Sequence, residues 1–168
     1  ATANTAPMKF NTGTLLTTPE AGATEFLTDA FYVTGTTGPT RRFLEAGVTG
    51  RATAQTAAKA SVATYTLGAV DASFRVSANV LVTTSTTHNF TATVAYTDEG
   101  NTARTLTLTF SSLAGVLATT VTNAGGAVPY EGVPLHIRCK ASTTITIATT
   151  GTFTSVTYKV EGVITPIA

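Results

Sequence analysis

Phe74, Val76, Ala78, Val80 and Val82 alternate with Ser73, Arg75, Ser77 and Asn79, and a two-residue period puts one set on each face of an extended strand. The pattern recurs down the chain. Phe90, Ala92, Val94 and Tyr96 alternate with Asn89, Thr91 and Thr93; Leu106, Leu108 and Phe110 with Thr105, Thr107 and Thr109. Leu135, Ile137 and Cys139 alternate with His136, Arg138 and Lys140. Ile145 and Ile147 follow, and then Val156, Tyr158, Val160, Gly162 and Ile164. Strands with one apolar and one wet face belong in antiparallel sheets that pack face to face. Phe74, Val76, Val94, Tyr96, Leu106, Leu108, Ile137, Cys139, Ile147, Tyr158 and Val160 are therefore expected inside.

The turns agree with this reading. Asp98-Glu99-Gly100-Asn101 joins two strong strands as a hairpin. Ala141-Ser142-Thr143 and Thr149-Thr150-Gly151 read as further tight connections, and Asn123-Ala124-Gly125-Gly126 as a loop. The stretch from about 111 to 134 reads as a Greek-key crossover. The expected fold is all-β: an antiparallel β-sandwich over 65–168, jelly-roll-like, with an Ig-like sandwich as the alternative.

The first third is less regular. Residues 1–10 read as a flexible lead. Residues 1–46 as a whole read as a segment of short β-hairpins, with strands at Thr14-Leu15-Leu16, Thr24-Glu25-Phe26, Phe31-Tyr32-Val33 and Thr40 to Phe43. Turns fall at Thr18 to Gly22, near Leu27 to Asp29, and at Gly35 to Pro39. Residues 47–64 carry Gly47-Val48-Thr49-Gly50 and an alanine-rich run, and read as a linker or a short helix whose apolar face would bury little area. The chain does not start with Met, which reads as processing or as a piece of something longer.

Only 11% of the residues are charged, and 40 of the 168 are threonine. About a quarter charged is usual, so this surface is unusually neutral and rich in hydroxyls. Net charge is +1 and no basic run occurs, so a nucleic-acid partner is not expected. The densest basic spot, His136, Arg138 and Lys140, reads as a solvated strand face, with an anion site as the lesser alternative. There is no apolar run of membrane-spanning length.

No residue pattern calls for chemistry. The single cysteine, Cys139, can form neither an intrachain disulfide nor a thiolate zinc site, and reads as a buried small hydrophobe. His88 and His136 are far apart and no His-x-His pair occurs, so no metal site and no cofactor are expected. No Gly-x-Ser-x-Gly elbow or phosphate-binding glycine loop is present. A glycosidase would need two carboxyl groups facing one another, and Asp71, Glu131 and Glu161 are the available candidates. Asp98 and Glu99 read as turn residues. The chain is accordingly expected not to be an enzyme. Tyr130, in the apparent loop Val128-Pro129-Tyr130-Glu131-Gly132, is the candidate ligand contact, set against a tyrosine folded back onto the sandwich.

The stretch Gly13-Thr14-Leu15-Leu16-Thr17-Thr18-Pro19-Glu20-Ala21-Gly22-Ala23-Thr24-Glu25-Phe26, with Phe31-Tyr32-Val33-Thr34 and Arg41-Arg42 after it, resembles a segment of phage tail-fibre and other virion proteins. Roughly Gly50 to Ile167 resembles the C-terminal β-domains that follow it. The resemblance implies a location on the virion, a homotrimer, other virion proteins as partners and, for a fibre, a host-surface glycan or protein; the alternatives are a capsid decoration or neck or collar fibre with a purely structural role, and a secreted adhesin-like β-domain. It transfers no receptor-contacting residue. The apolar residues of the short-stranded segment, Phe10, Leu15, Leu16, Phe26, Phe31, Val33 and Phe43, are the expected subunit interface: one hairpin cannot hide them all.

Overall fold

The computed structural model describes residues 14–15, 17–18, 20–27, 30–34, 41–44, 47–85, 88–112, 117–122 and 128–167. The expected lead at 1–10, the turn Gly35 to Pro39 and the loop Asn123 to Gly126 lie outside them. The chain divides into two compact units at Gly47.

The N-terminal unit is an antiparallel sheet of three short strands, β1 (Thr24–Leu27), β2 (Ala30–Thr34) and β3 (Arg41–Leu44), in that order. Phe26 stands opposite Phe31 in the β1–β2 ladder, and their rings tilt together at 4.9 Å. The expected bend before β1 is present. Gly22 takes a positive φ of 78°, and its N–H donates to the Thr34 carbonyl at 2.9 Å. Ala23 and Thr34 are likewise joined at 2.9 Å, so the bend extends the β1–β2 ladder.

The C-terminal unit, from Gly47, holds twelve strands among the described residues. They are β4 (Val48–Gln55), β5 (Ala63–Thr66), β6 (Ala72–Ser85), β7 (Asn89–Thr97), β8 (Ala103–Thr107), β9 (Phe110–Ser112), β10 (Leu117–Ala118), β11 (Val121–Thr122), β12 (Val128–Gly132), β13 (Leu135–Cys139), β14 (Thr144–Thr152) and β15 (Val156–Ile167). One sheet runs β4, β15, β6, then β12 and β13 end to end beside β6, with β9 and β10 beyond β12. The other runs β5, β14, β7, with β8 and β11 end to end beside β7. Taking β4, β5, β6, β7, β8, β13, β14 and β15 as strands one to eight, the sheets read 1-8-3-6 and 2-7-4-5. That nested antiparallel order is a jelly roll rather than an Ig-like sandwich. Strands β9 to β12 are inserted between its fifth and sixth strands.

Alternation explains the core. Phe74, Val76, Ala78, Val80 and Val82 of β6 are all buried, as are Val156, Tyr158, Val160 and Ile164 of β15. Phe90, Ala92 and Val94 of β7, with Ile145 and Ile147 of β14, face them from the second sheet. Phe90, Phe153 and Tyr158 form a ring cluster with centroids 4.8 to 5.4 Å apart. The Tyr158 hydroxyl donates to the Ala57 carbonyl and shares a hydrogen bond with Thr149 Oγ1, each at 2.8 Å. The largest buried ring thus carries its polar end fully partnered.

Several expectations need correction. Residues 47–64 are not a linker or helix: Val48–Gln55 form β4, an edge strand along β15. Its small residues are what the site needs. A side chain at Gly50 would fall 1.8 Å from the Val62 carbonyl oxygen where the chain turns into the other sheet. Ala54, at φ 53°, marks a bulge in this edge, which interrupts a pairing surface open to other chains.

Leu106 is not core. It lies opposite Val94, on the inward side, but β8 is the outermost strand at that level and Leu106 stays 36% exposed. Tyr96, also expected inside, is half-buried at the same open end. Thr149-Thr150-Gly151 is not a turn but part of β14. Gly151, at φ 132°, lets β14 run past Asn89, whose carbonyl oxygen would lie 2.5 Å from any side chain there. The 111–134 crossover is itself stranded. At Leu108 the chain is still bonded to Ala92 of one sheet, and by Phe110 it pairs with Gly132 of the other.

The hairpin at Asp98 is as expected. Asn101, at φ 63°, donates to the Asp98 carbonyl at 2.9 Å, and Asp98 Oδ1 accepts from Thr102 N at 2.8 Å. Between β12 and β13 the ladder breaks at Gly132. A side chain there would meet the Ala78 carbonyl oxygen at 2.4 Å, and the Gly132 N–H donates instead to Asn79 Oδ1.

Candidate functional site

Tyr130 is not a loop contact. It lies on β12 between Val80 of β6 and Ser112 of β9, is 7% exposed, and its ring meets Phe110 edge-on at 6.3 Å. Its hydroxyl donates to the Thr122 carbonyl at 3.0 Å, and burial pushes its pKa up. Pro129 disguises the strand in sequence. It sits at the β12 start, paired with Leu81 on one side, while β12 meets β9 only from Tyr130 onward. Proline is tolerated at such a position because it lacks only a donor the ladder does not use.

Beside Tyr130 the inserted strands shape the surface. Thr109, Leu117, Ala118, Thr119, Thr120 and Thr122 line a groove of about 490 Å³, open to solvent. Leu117, on β10, is 65% exposed, one of three large apolar residues left exposed among the described residues, with Val70 and Leu106. Hydroxyl groups around one apolar side chain can hydrogen-bond and pack at once, but nothing ionisable lines the groove.

His88 meets the groove wall at Thr122. It is 4% exposed, precedes β7, and its ring is 5.7 Å from that of Phe90. Burial lowers its pKa, against a smaller opposing effect of a hydrogen bond to the Thr122 backbone. One carbonyl of β11 therefore receives His88 from one sheet and Tyr130 from the other. Sequence reasoning weighed His88 as a metal ligand. The signal it lacked is the pairing of β7 with β11, which only two residues of each strand make.

The basic strand face is as drawn from the sequence: His136 and Arg138 point outward and Lys140 is half-buried. The cations are engaged locally. Arg138 pairs with Glu99, Lys140 Nζ donates to Asn101 Oδ1 at 2.8 Å, and Arg75 Nε lies 3.5 Å from His136 Nε2. Arg104 binds Asp98 at 2.7 Å, and the Thr102 backbone and Arg104 together hold the Asp98 carboxyl below its usual pKa. The face thus anchors the β7–β8 hairpin to the end of β13.

The candidate carboxylates are spread out. Asp71 Oδ1 accepts from Ala141 N at 2.7 Å, a structural tie. Glu131 and Glu161 share an outer sheet face on the two neighbours of β6, so two strand spacings, roughly 10 Å, separate their backbones. That face is open rather than a cleft. Cys139 is fully buried, as expected, and burial pushes its thiol up to about 12. Among the described residues, no group of three or more His, Cys, Asp or Glu is arranged to hold a metal ion.

Of the expected interface residues, Leu15, Phe26, Phe31 and Val33 are half-buried. Tyr32 and Thr34, on the other face of β2, are buried. Phe43 falls on β3 by its backbone, and Phe10 and Leu16 lie outside the described residues.

No family model and no curated protein sequence matches the chain. Among solved structures, that of the infectious bursal disease virus Gx strain aligns with 84% of this chain at 13% identity and a TM-score of 0.23. The chain spans 47% of the length of that chain. A likeness this slight supports no inference about fold or role.

Proposed function

We propose that the protein is a non-enzymatic structural and binding module of a phage virion, a trimeric tail-fibre or tail-tip part that contacts the host surface. The observation that carries this reading is the N-terminal unit. It is a sheet of four- and five-residue strands, built on the stretch that resembles fibre proteins, and its Phe26–Phe31 pair is left half-buried. Burying an aromatic or aliphatic side chain fully is worth roughly 1.5–3 kcal/mol, and a sheet this small is marginal alone. Packing against two copies of itself removes the exposed surface, and closed rotational symmetry does so without open-ended growth. The neutral, threonine-rich jelly roll would then be the outward module.

The second reading is a capsid decoration or a neck or collar fibre with a purely structural role. The jelly-roll topology favours keeping it, since viral capsid domains and lectin domains both use that fold. Light scattering on the whole chain, and on a shortened chain starting at Gly47, tests the assembly. A trimer that becomes a monomer on shortening is expected, and a monodisperse monomer for the whole chain at micromolar concentration overturns the trimer. Binding of the whole chain to host cells separates the fibre reading from the structural one, and imaging its position on the particle checks both.

A further inference from the structure

We propose that His88 is an acid-sensitive latch that holds β11, and with it the wall of the threonine-lined groove, against the jelly roll. The geometry is specific to this corner. Strand β11 is only Val121 and Thr122, paired with Phe90 and Asn89. So short a ladder depends on what its side chains and carbonyls reach. Val121 is fully buried, and the Thr122 carbonyl accepts the Tyr130 hydroxyl at 3.0 Å from β12. His88, 4% exposed and against Phe90, reaches the same Thr122 backbone from the β7 side. Thr122 in turn lines the groove.

The surroundings favour the neutral ring, because burial outweighs the hydrogen bond to the Thr122 backbone. Phe90, with Phe153 and Tyr158 stacked behind it, forms an apolar wall. The titratable groups on the inward faces of the packed elements are Tyr130 of β12 and, one ring further away, Tyr158 of β15, while Glu131 of β12 and Lys159 and Glu161 of β15 alternate onto the opposite faces. Burial raises both phenols, so they stay neutral in the range where an imidazole titrates. No Asp, Glu, Lys or Arg among the described residues contributes to the His88 shift. A proton on His88 therefore places a cation in a largely apolar pocket, where the Thr122 contact offsets only part of the burial cost, and exposing the ring to water is the relief.

The direction follows from linkage. With β11 in place the imidazole resists protonation, whereas once β11 lifts away it titrates near its ordinary value of about 6.5. The closed arrangement holds its full advantage above that pH and loses it as pH falls towards the lower value of the buried ring. One proton gives up to about a tenfold rise in the opening constant per pH unit in that window. The consequence is local: Val121 becomes exposed and the groove loses a wall, while the β6–β15 and β7–β14 ladders remain.

Hydrogen exchange on the whole chain, corrected for intrinsic rates, tests this between pH 7.5 and pH 5. Amides of β11 are expected to lose about tenfold or more of their protection in the wild type, with β14 and β15 unchanged, and His88→Gln is expected to abolish that step. A wild type with no step, or a variant that keeps it, overturns the latch. Should His88→Gln fail to fold, the two histidines can be titrated by NMR in the native chain. His88 protonating together with β11 opening supports the proposal. His88 titrating with β11 still protected refutes it.

Discussion

The N–H of Gly132 donates to Oδ1 of Asn79 at 2.8 Å, so a side chain of β6 fills the gap that opens between β12 and β13. The gap exists because β12 and β13 are two halves of one strand beside the fourteen-residue β6, joined at a point where the Ala78 carbonyl leaves room for hydrogen only. Gly132→Ala should therefore cost about 1–3 kcal/mol from overpacking, and Asn79→Ala about 1 kcal/mol, since the exposed site lets water replace the lost acceptor. Urea unfolding of the two variants measures both, and equal small losses would show that the backbone gives way easily here.

Leu106 and Leu108 share a face by parity but not an environment. Leu108→Ala should cost about 2–5 kcal/mol, as should Ile137→Ala, while Leu106→Ala should cost less than about 1 kcal/mol. Denaturant midpoints for the three variants decide it.

Two buried tyrosines should respond oppositely to loss of the hydroxyl. The Tyr65 hydroxyl is buried and has no hydrogen-bond partner among the described residues, whereas that of Tyr158 has two. Tyr65→Phe is expected to be neutral or stabilising, and Tyr158→Phe to cost about 1–2 kcal/mol. Thermal melts of the paired variants compare them directly.

Cys139 should be inert. With its pKa at about 12 the native thiol holds almost no thiolate at pH 8, so a disulfide reagent should label it only after denaturation. The sign of the linkage is fixed by the same shift. The folded state keeps the proton that the unfolded chain releases from about pH 9, so this contribution to stability is complete below pH 9 and fades as pH rises towards 12. Following labelling rate and stability across that range, with Cys139→Ala as the control, checks both statements.

Where a strand is buried on one face along its whole length, the sequence pattern is unambiguous, and β6, β7, β14 and β15 were legible for that reason. Strand β4 was not. It lies along an edge where close approach selects Gly50 and Ala52, and residues that small carry almost no periodic signal. Strands β9 to β11 have two or three residues each, too few for any period to register. Tyr130 was misplaced because Pro129 and Gly132 resemble loop punctuation, while their real constraints, a half-free edge and a close carbonyl, are tertiary. The groove and the His88 corner depend on those same short strands, so only the residues, and not their meeting, could be read in advance.

The position of β15 between β4 and β6 sets an order of events during synthesis. Strands β4 and β6 leave the ribosome early but have no ladder with each other; each waits for the segment Val156–Ile167 to emerge before it can pair there. Until then β6 presents a long apolar face and an unpaired edge to the cell, the kind of surface that chaperones hold and that aggregates form on. Pairing between segments so distant in sequence is also slow. Expression of this protein should therefore be limited by how well the waiting nascent chain is protected more than by the stability of the finished sandwich.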